Sequence, residues 1–260
     1  MIEKVNLPIA ARMRRLVMSD SHGSYKGIVQ CLERSRFNPD QDQLIFLGDV
    51  VDGWSETKES IELLMQFKNL VYLLGNHDEW AIQFYQGELI HELRSWLRHG
   101  GEATMNSYGI GEPMPQEHLA FLLDAKPYYV TDDHKLFVHA GFNPALDITQ
   151  TGTRELIWSR DFINRCHIQY KISPAFTVAP FDQIYVGHTP TTDLLESQTL
   201  PFCMGNVTMM DTGAAFQRCL SIMDVDTKQV WQSDRSKFLY PKERGRNPYT
   251  WEEEKALYNL

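Results

Sequence analysis

Cysteine is scarce. Only Cys31, Cys166, Cys203 and Cys219 occur, with no Cys-x-x-Cys pair and no dense framework, so reduced thiols are expected and neither a disulfide scaffold nor a zinc knuckle is implied. Nowhere do about 18 apolar residues run together, which argues against a membrane-spanning helix. The N-terminal MIEKVNLPIAARMRRLVMSD holds no continuous apolar stretch of signal-peptide length. A cytoplasmic protein without a membrane partner is therefore expected. Positive charge is also in deficit: 25 Lys plus Arg stand against 34 Asp plus Glu, a formal net charge of −9. That field repels a nucleic-acid backbone, so no nucleic acid is expected as partner, and an anionic substrate must be held by a few arginines or by bound cations.

Internal repeats, low-complexity segments and a convincing linker are lacking too. The 260 residues, 43% hydrophobic and 23% charged, suffice to bury a core without disulfides or structural metal, so any metal is expected to be functional. One domain over residues 1–260 is expected, with its core at about 14–226 and a C-terminal extension at 227–260.

From Leu16 short apolar runs alternate with amphipathic stretches. LVMSD (16–20) reads as a buried strand ending at a carboxylate, and Tyr25, Ile28, Val29 and Leu32 share one helix face. QLIFLGD (43–49) is a second strand, 55–67 a second helix with Ser55 or Thr57 as N-cap, and LVYLLGN (70–76) a third strand. Such a β-α-β-α-β unit is expected to be parallel, with ligands bound beyond the carboxyl ends of its strands. Residues 80–98 and 118–123 carry helical spacing. PYYVTDD and KLFVHAG suggest a hairpin, and QIYVGHT, VTMMDTG and RCLSIMDV three later strands, so the second half reads as antiparallel or mixed. Residues 143–180 read as a loop-rich insertion with one helix around 154–162. From Thr227 the chain is charged and reads as a surface extension closing with a short helix from Thr250.

Five motifs stand at the strand ends: Asp20-Ser21-His22-Gly23, Gly48-Asp49-Val50-Val51-Asp52, Gly75-Asn76-His77-Asp78, His139-Ala140-Gly141 and Gly187-His188-Thr189. Each alone is weak, and a plainer reading makes each a capping or loop group. Five in order, with gaps of crossover length, argue against chance. Imidazole, carboxylate and amide oxygen suit a pair of divalent transition ions, with Asp49 as a bridge whose charge offsets their repulsion.

Together these motifs resemble the calcineurin-like metallophosphoesterases, and more narrowly the bacterial and phage PPP-type serine/threonine protein phosphatases. Ile157-Trp158-Ser159-Arg160 and Asp211-Thr212-Gly213-Ala214 add to the likeness, which covers roughly Arg14 to Asp226. It implies an α/β fold of mixed β-sheets, a β-sandwich flanked by helices. It also implies two divalent ions, Mn2+ first with Fe or Zn as alternatives: one held by Asp20, His22 and Asp49, the other by Asp49, Asn76, His139 and His188. A metal-bridging hydroxide would attack in line, with His77 as general acid and Asp52 bonded to its other nitrogen. Arg160 would grip the phosphate alongside Asn76, since a guanidinium fork matches two phosphoryl oxygens.

Two departures bear on substrate. The family's Gly-Asp-x-x-Asp-Arg-Gly is here Gly48-Asp49-Val50-Val51-Asp52-Gly53-Trp54, and Leu-Arg-Gly-Asn-His-Glu is Leu73-Leu74-Gly75-Asn76-His77-Asp78, so two arginines are missing. Arg154 or Arg165 could compensate, and Trp54 could wall the pocket mouth or simply pack. His91, His99, His118, His134 and His167 have no ligand-like spacing and read as surface or core residues; Met204, Met209 and Met210 read as core. The expected substrate is a phosphorylated protein or peptide or a small phosphoester. The alternatives are a symmetrical bis(5′-nucleosyl)-tetraphosphatase and a non-catalytic scaffold, the latter disfavoured because every metal ligand is intact.

Overall fold

The computed structural model describes residues 13–258, so the extreme N-terminus read for a signal, residues 1–12, lies outside the described residues. The first half runs β1 (Arg15–Met18), α1 (Tyr25–Ser35), β2 (Gln43–Phe46), α2 (Thr57–Leu64), β3 (Leu70–Tyr72), α3 (Asn76–Tyr85), α4 (Leu93–Trp96), α5 (Glu102–Tyr108) and α6 (Gln116–Leu123). The second runs β4 (Tyr128–Val130), β5 (Lys135–Val138), α7 (Thr153–Trp158), α8 (Asp161–Ile172), β6 (Gln183–Val186), β7 (Phe202–Met204), β8 (Val207–Met209), β9 (Ser221–Asp224) and β10 (Val230–Gln232).

Two five-stranded sheets result, ordered β10-β9-β1-β2-β3 and β4-β5-β6-β8-β7. The opening unit is parallel as expected, Val17 pairing with Ile45 and Ile45 with Val71. Antiparallel β9 closes its other side. The second sheet is mixed, with β5, β6 and β8 parallel. Period-two alternation sorts each strand between two layers. Val17, Ile45, Phe137, Tyr185 and Met223 meet between the sheets. Leu16, Met18, Leu44 and Phe46 face the other way, against Ile28, Ile61 and Trp80 of the helices, while Leu136, Val138, Ile184 and Val186 pack on Leu156, Phe162 and Cys166. The outcome is a β-sandwich with helices on both outer faces, and Met204, Met209 and Met210 are fully buried in it.

Several boundaries differ from the reading of the sequence. The helix expected over 80–98 is two: α3 ends at Tyr85 before Gly87 at φ +79°, and α4 runs into a π-type turn, Leu97–Gly101, broken at Gly100 with φ +106°. A Cβ on Gly100 would lie 2.6 Å from the Gly53 nitrogen, so this close approach requires glycine. Residues 143–180 are more helical than expected, because Phe162, Ile163 and Cys166 give α8 an apolar face. Strands β7 and β10 were not anticipated, although Gly205-Asn206 is a two-residue hairpin signal between β7 and β8. Neither Ser55 nor Thr57 caps α2; Glu56 precedes it without a side-chain cap, and the Ser55 hydroxyl bonds Glu243 instead. No helix among the described residues is long and apolar enough to cross a membrane.

Candidate metal centre and active site

Six strand ends converge. Asp20 lies two residues past β1, Asp49 three past β2, His139 directly after β5, His188 two past β6 and Asp211 two past β8, while Asn76 and His77 open α3 after β3. Nine described non-glycine residues have positive φ, and five of them are Asp20, His22, Asp49, Asp52 and His188. Left-handed backbone there turns the chain sharply after β1, β2 and β6, a strain of order 1–3 kcal/mol per residue that clusters at sites the surroundings over-determine.

His139 Nε2 stands 3.4 Å from Asp49 Oδ2 and 3.1 Å from Asn76 Oδ1. His188 Nδ1 lies 2.8 Å from the same Asn76 oxygen. On the other side His22 Nε2 is 3.7 Å from Asp49 Oδ2 and 3.9 Å from Asp20 Oδ1. Two donor groups that could each hold an ion follow, one of His22, Asp49 and His77 and one of Asp49, His139 and His188, sharing Asp49. The second-atom bonds orient the rings: His22 Nδ1 donates to the Val51 carbonyl at 3.1 Å and His139 Nδ1 to that of Leu47 at 2.7 Å, which turns each Nε2 inward.

Electrostatics fit the same reading. Burial lowers His22 and His188 to about 3, so both rings are neutral and carry a free lone pair. Asp20 is pushed up by burial and by Asp211, itself raised to about 6 by burial. Against its own burial, Asp49 is held well below the usual carboxylate range by His139, His77 and His22. His139 rises to about 10 despite burial, because Asp49 and Asp20 face it. A cluster that binds a proton this firmly among buried carboxylates is one that divalent cations would satisfy.

Beside this cluster His77 Nδ1 meets Asp52 Oδ2 at 2.7 Å. Asp52 is wholly buried and also accepts Trp96 Nε1 at 2.8 Å and Thr104 Oγ1 at 2.7 Å. The two donors flank the chain break at Gly100. Asp78, the last residue of its motif, accepts the backbone N–H groups of Asp49, Val50 and Gly75 at 2.8, 3.1 and 3.0 Å and the Tyr72 hydroxyl at 2.8 Å. It ties the Asp49 loop to the start of α3.

A cleft of about 460 Å3 opens over Asp49, Asn76, His77 and His188. Arg160 lines it, half exposed and 3.7 Å from Asp193. Arg154 lines it too, over the Trp158 ring, whereas Arg165 lines a separate cavity beside Phe142. His91 and His99, read as bland, stand at the cleft wall. His118 instead is buried against the Tyr108 hydroxyl. Trp54 forms no wall at the mouth: it is fully buried, donates to the Ala214 carbonyl and stacks on Tyr240 at 5.0 Å. The C-terminal stretch is likewise more than surface, since Arg246 reaches into the cleft. Asp78, Asp211, Trp96, Thr104 and Arg246 received no role from the sequence. Of these, only Asp78 and Asp211 lay within quoted motifs.

The sequence model of the family described as calcineurin-like phosphoesterase matches residues 13–202. Serine/threonine-protein phosphatase 1 of Salmonella typhimurium is 23% identical over 207 residues, 77% of this chain and 86% of that protein. The symmetrical bis(5′-nucleosyl)-tetraphosphatase of Erwinia tasmaniensis is 30% identical over 139 residues, 52% of this chain but only 47% of that relative. A crystal structure of a candidate diadenosine tetraphosphatase superposes with a TM-score of 0.61 at 14% identity, over 87% of this chain and 95% of the other, a likeness of fold. With the strand-end cluster and the two shared donor groups, these matches make the chain a member of the calcineurin-like phosphoesterase family, a metallophosphoesterase and hence a hydrolase.

Proposed function

We propose that the protein is a phosphoprotein phosphatase that hydrolyses phosphoserine and phosphothreonine, with phosphotyrosine as a further substrate. The observation that carries this reading is the buried His77–Asp52 pair at the cleft floor. A seryl or threonyl alkoxide leaves poorly unless it is protonated, so a fixed proton donor matters for that bond. A nucleotide phosphate leaves readily without one. The match to the Salmonella phosphatase, over most of that protein's length, supports the same choice.

In this reading Asp20, His22 and Asp49 hold one ion and Asp49, Asn76, His139 and His188 the other, with manganese the first candidate and iron or zinc compatible with the same ligands. When bound, the ions neutralise phosphoryl oxygens and activate water. The chain's own residues do the rest. Asp52 fixes the His77 ring through Nδ1, leaving Nε2–H for the leaving oxygen. Asn76 turns Oδ1 to His139 and His188, so its amide nitrogen is the atom left for a phosphoryl oxygen. Arg160 reaches the rim as a further phosphate contact. The four cysteines, unpaired in the structure, support a cytoplasmic setting.

A second reading, hydrolysis of a symmetrical dinucleoside tetraphosphate, is favoured by the rings at the cleft wall: the exposed His99 and half-buried Trp158, 5.8 and 4.7 Å from the buried Trp80, are faces on which a base could stack. Manganese-loaded protein assayed against phosphoserine, phosphothreonine and phosphotyrosine peptides and diadenosine tetraphosphate separates the two. Higher kcat/KM on the phosphopeptides is the expected result, and preferred cleavage of the dinucleotide would overturn the proposal.

A further inference from the structure

The geometry points to Arg246, carried on the C-terminal segment, as the guanidinium that grips the transferred phosphoryl group in place of the arginine missing at position 53; this rests on the phosphoesterase reading above. Gly53 stands where the family pattern has arginine. A Cβ built on it would lie 3.4 Å from the His22 carbonyl oxygen and 3.5 Å from Arg246 Cγ, so the stem of Arg246 packs in van der Waals contact with the place where a side chain at position 53 would start. The guanidinium enters the cleft over Asn76 and His77 from the C-terminal segment, outside the residues 13–202 that match the family.

The segment is seated for this. Tyr240 stacks on Trp54 at 5.0 Å with planes 20° apart, and Glu243 takes the Ser55 N–H and hydroxyl at 3.0 and 2.8 Å. Gly245, at φ +58°, presses on the Trp54 ring so closely that a Cβ would lie 2.6 Å from Cζ2. The Arg246 N–H bonds the Ala215 carbonyl at 2.9 Å, and its guanidinium lies 4.9 Å from the Phe216 ring. Gly53-Trp54 and Gly245-Arg246 are therefore packed as one unit: Gly53 takes the φ of +105° that the turn needs, Trp54 holds the segment, and the segment delivers the arginine to the cleft.

The guanidinium itself is poised rather than spent. Its Nε is buried without a hydrogen-bond partner, a costly state unless a ligand completes it. It lines the cleft with Asn76, His77 and His188. The other two arginines there, Arg154 and Arg160, are exposed, whereas Arg246 is half-buried. A phosphoryl group bound against the donor cluster would offer two oxygens to a planar fork.

The test uses full-length, manganese-loaded protein with inorganic phosphate as the probe of the subsite. Arg246→Ala is expected to raise the inhibition constant for phosphate at least about tenfold and to lower kcat/KM for a phosphomonoester about a hundredfold, as for a lost hydrogen-bonded charge pair. Metal content should remain at the wild-type level, and millimolar guanidinium should restore part of the lost activity. Arg246→Lys keeps charge and stem but not the fork, should fall between the two, and carries the test if the alanine variant folds poorly. Wild-type phosphate inhibition and kcat/KM in both variants would overturn the assignment. So would loss of bound metal in step with activity, which would make Arg246 a charge-balancing residue. A wild-type protein that cleaves no phosphoester at all would instead refute the phosphoesterase reading on which this one stands.

Discussion

Replacing Asp52 by Asn keeps the shape of a buried side chain and removes its charge. An amide oxygen in the Oδ2 place still accepts from His77 Nδ1 and Trp96 Nε1, and the amide nitrogen in the Oδ1 place faces the Thr104 hydroxyl, which can rotate. Ring orientation therefore survives. What changes is the cost of a proton. Burial pushes Asp52 up and His77 down, each towards its neutral form, so the pair holds one proton between them and a second on Nε2. When Nε2 gives its proton to a leaving oxygen, the charge left behind rests on Asp52, where Trp96 and Thr104 donate to it. With Asn there, a doubly protonated His77 is a buried cation without a counter-charge. An adjacent opposite charge is worth roughly 1–3 pKa units, so kcat for a phosphoserine peptide should fall about a hundredfold, or roughly 2.7 kcal/mol. Turnover of p-nitrophenyl phosphate, whose leaving group needs no proton, should fall less than about fivefold. Asp52→Asn combined with His77→Asn should be no worse than His77→Asn alone, since the pair acts as one donor. Steady-state kinetics on the two substrates, with circular dichroism to confirm folding, decide it. Equal losses on both leaving groups, or multiplying losses in the double variant, would refute the coupled-donor argument.

A Cβ at position 75 would lie 2.0 Å from Asp49 Oδ1 and 2.5 Å from its nitrogen, so Gly75→Ala is expected to displace Asp49 and lower metal content, read by elemental analysis. Asp49→Asn should lose both ions, because both donor groups share that carboxylate; two ions retained at wild-type affinity would count against the bridge. Chelation of the loaded protein should lower Tm, since a ligand at a hundred times its Kd contributes about 2.7 kcal/mol to folded stability; an unchanged Tm would argue against bound ions. Burial lowers Lys228 to about 8, so the folded state releases that proton before the unfolded state does, and the unfavourable contribution of this residue is full below pH 8 and fades towards the ordinary lysine value. The Tm of wild type relative to Lys228→Met should therefore climb between about pH 8 and 10, and a flat difference would refute the assignment.

What could be read beforehand follows from how a doubly covered sheet is written. LVM, LIF, LFV and IYV are continuous apolar runs because both faces of each strand are buried. Each run ends in a polar residue at the place where a parallel strand presents its ligands, so Asp20, Asp49, Asn76, His139 and His188 were visible as a set. The left-handed backbone of Asp20, Asp49 and His188 was not, because no residue pattern marks a positive φ at a non-glycine position. Asp78 lay inside a quoted motif without a role, since its partners are backbone N–H groups that no side-chain pattern reveals. Trp96 and Thr104 were hidden for a different reason: a helix drawn unbroken over 80–98 misses the break after Tyr85 that sets α4 off from α3, and the break at Gly100 lies between the two donors. Arg246 sits in Lys-Glu-Arg-Gly-Arg, which has the composition of a solvated surface. The one signal for it was negative, the glycine at position 53.

That negative signal connects the net charge to the site. Asp20, Asp49, Asp52 and Asp211 are all buried within one cluster, where a carboxylate charge is costly unless compensated. Asp78 is satisfied separately by four donors. For the rest, His139 and Arg246 are the positive groups at hand, and Arg246 feels Asp49, Asp52, Asp211 and Asp20 without pairing to any of them. Two divalent ions would reverse the sign of this cluster, and Arg246 would then turn from the carboxylates to the incoming phosphate. An acidic protein can thus bind an anion only in its metal-loaded state, with positive charge confined to the cleft. Its phosphate affinity should accordingly depend on metal loading far more than on ionic strength, because the attraction acts across buried distances well inside a Debye length of about 8–10 Å.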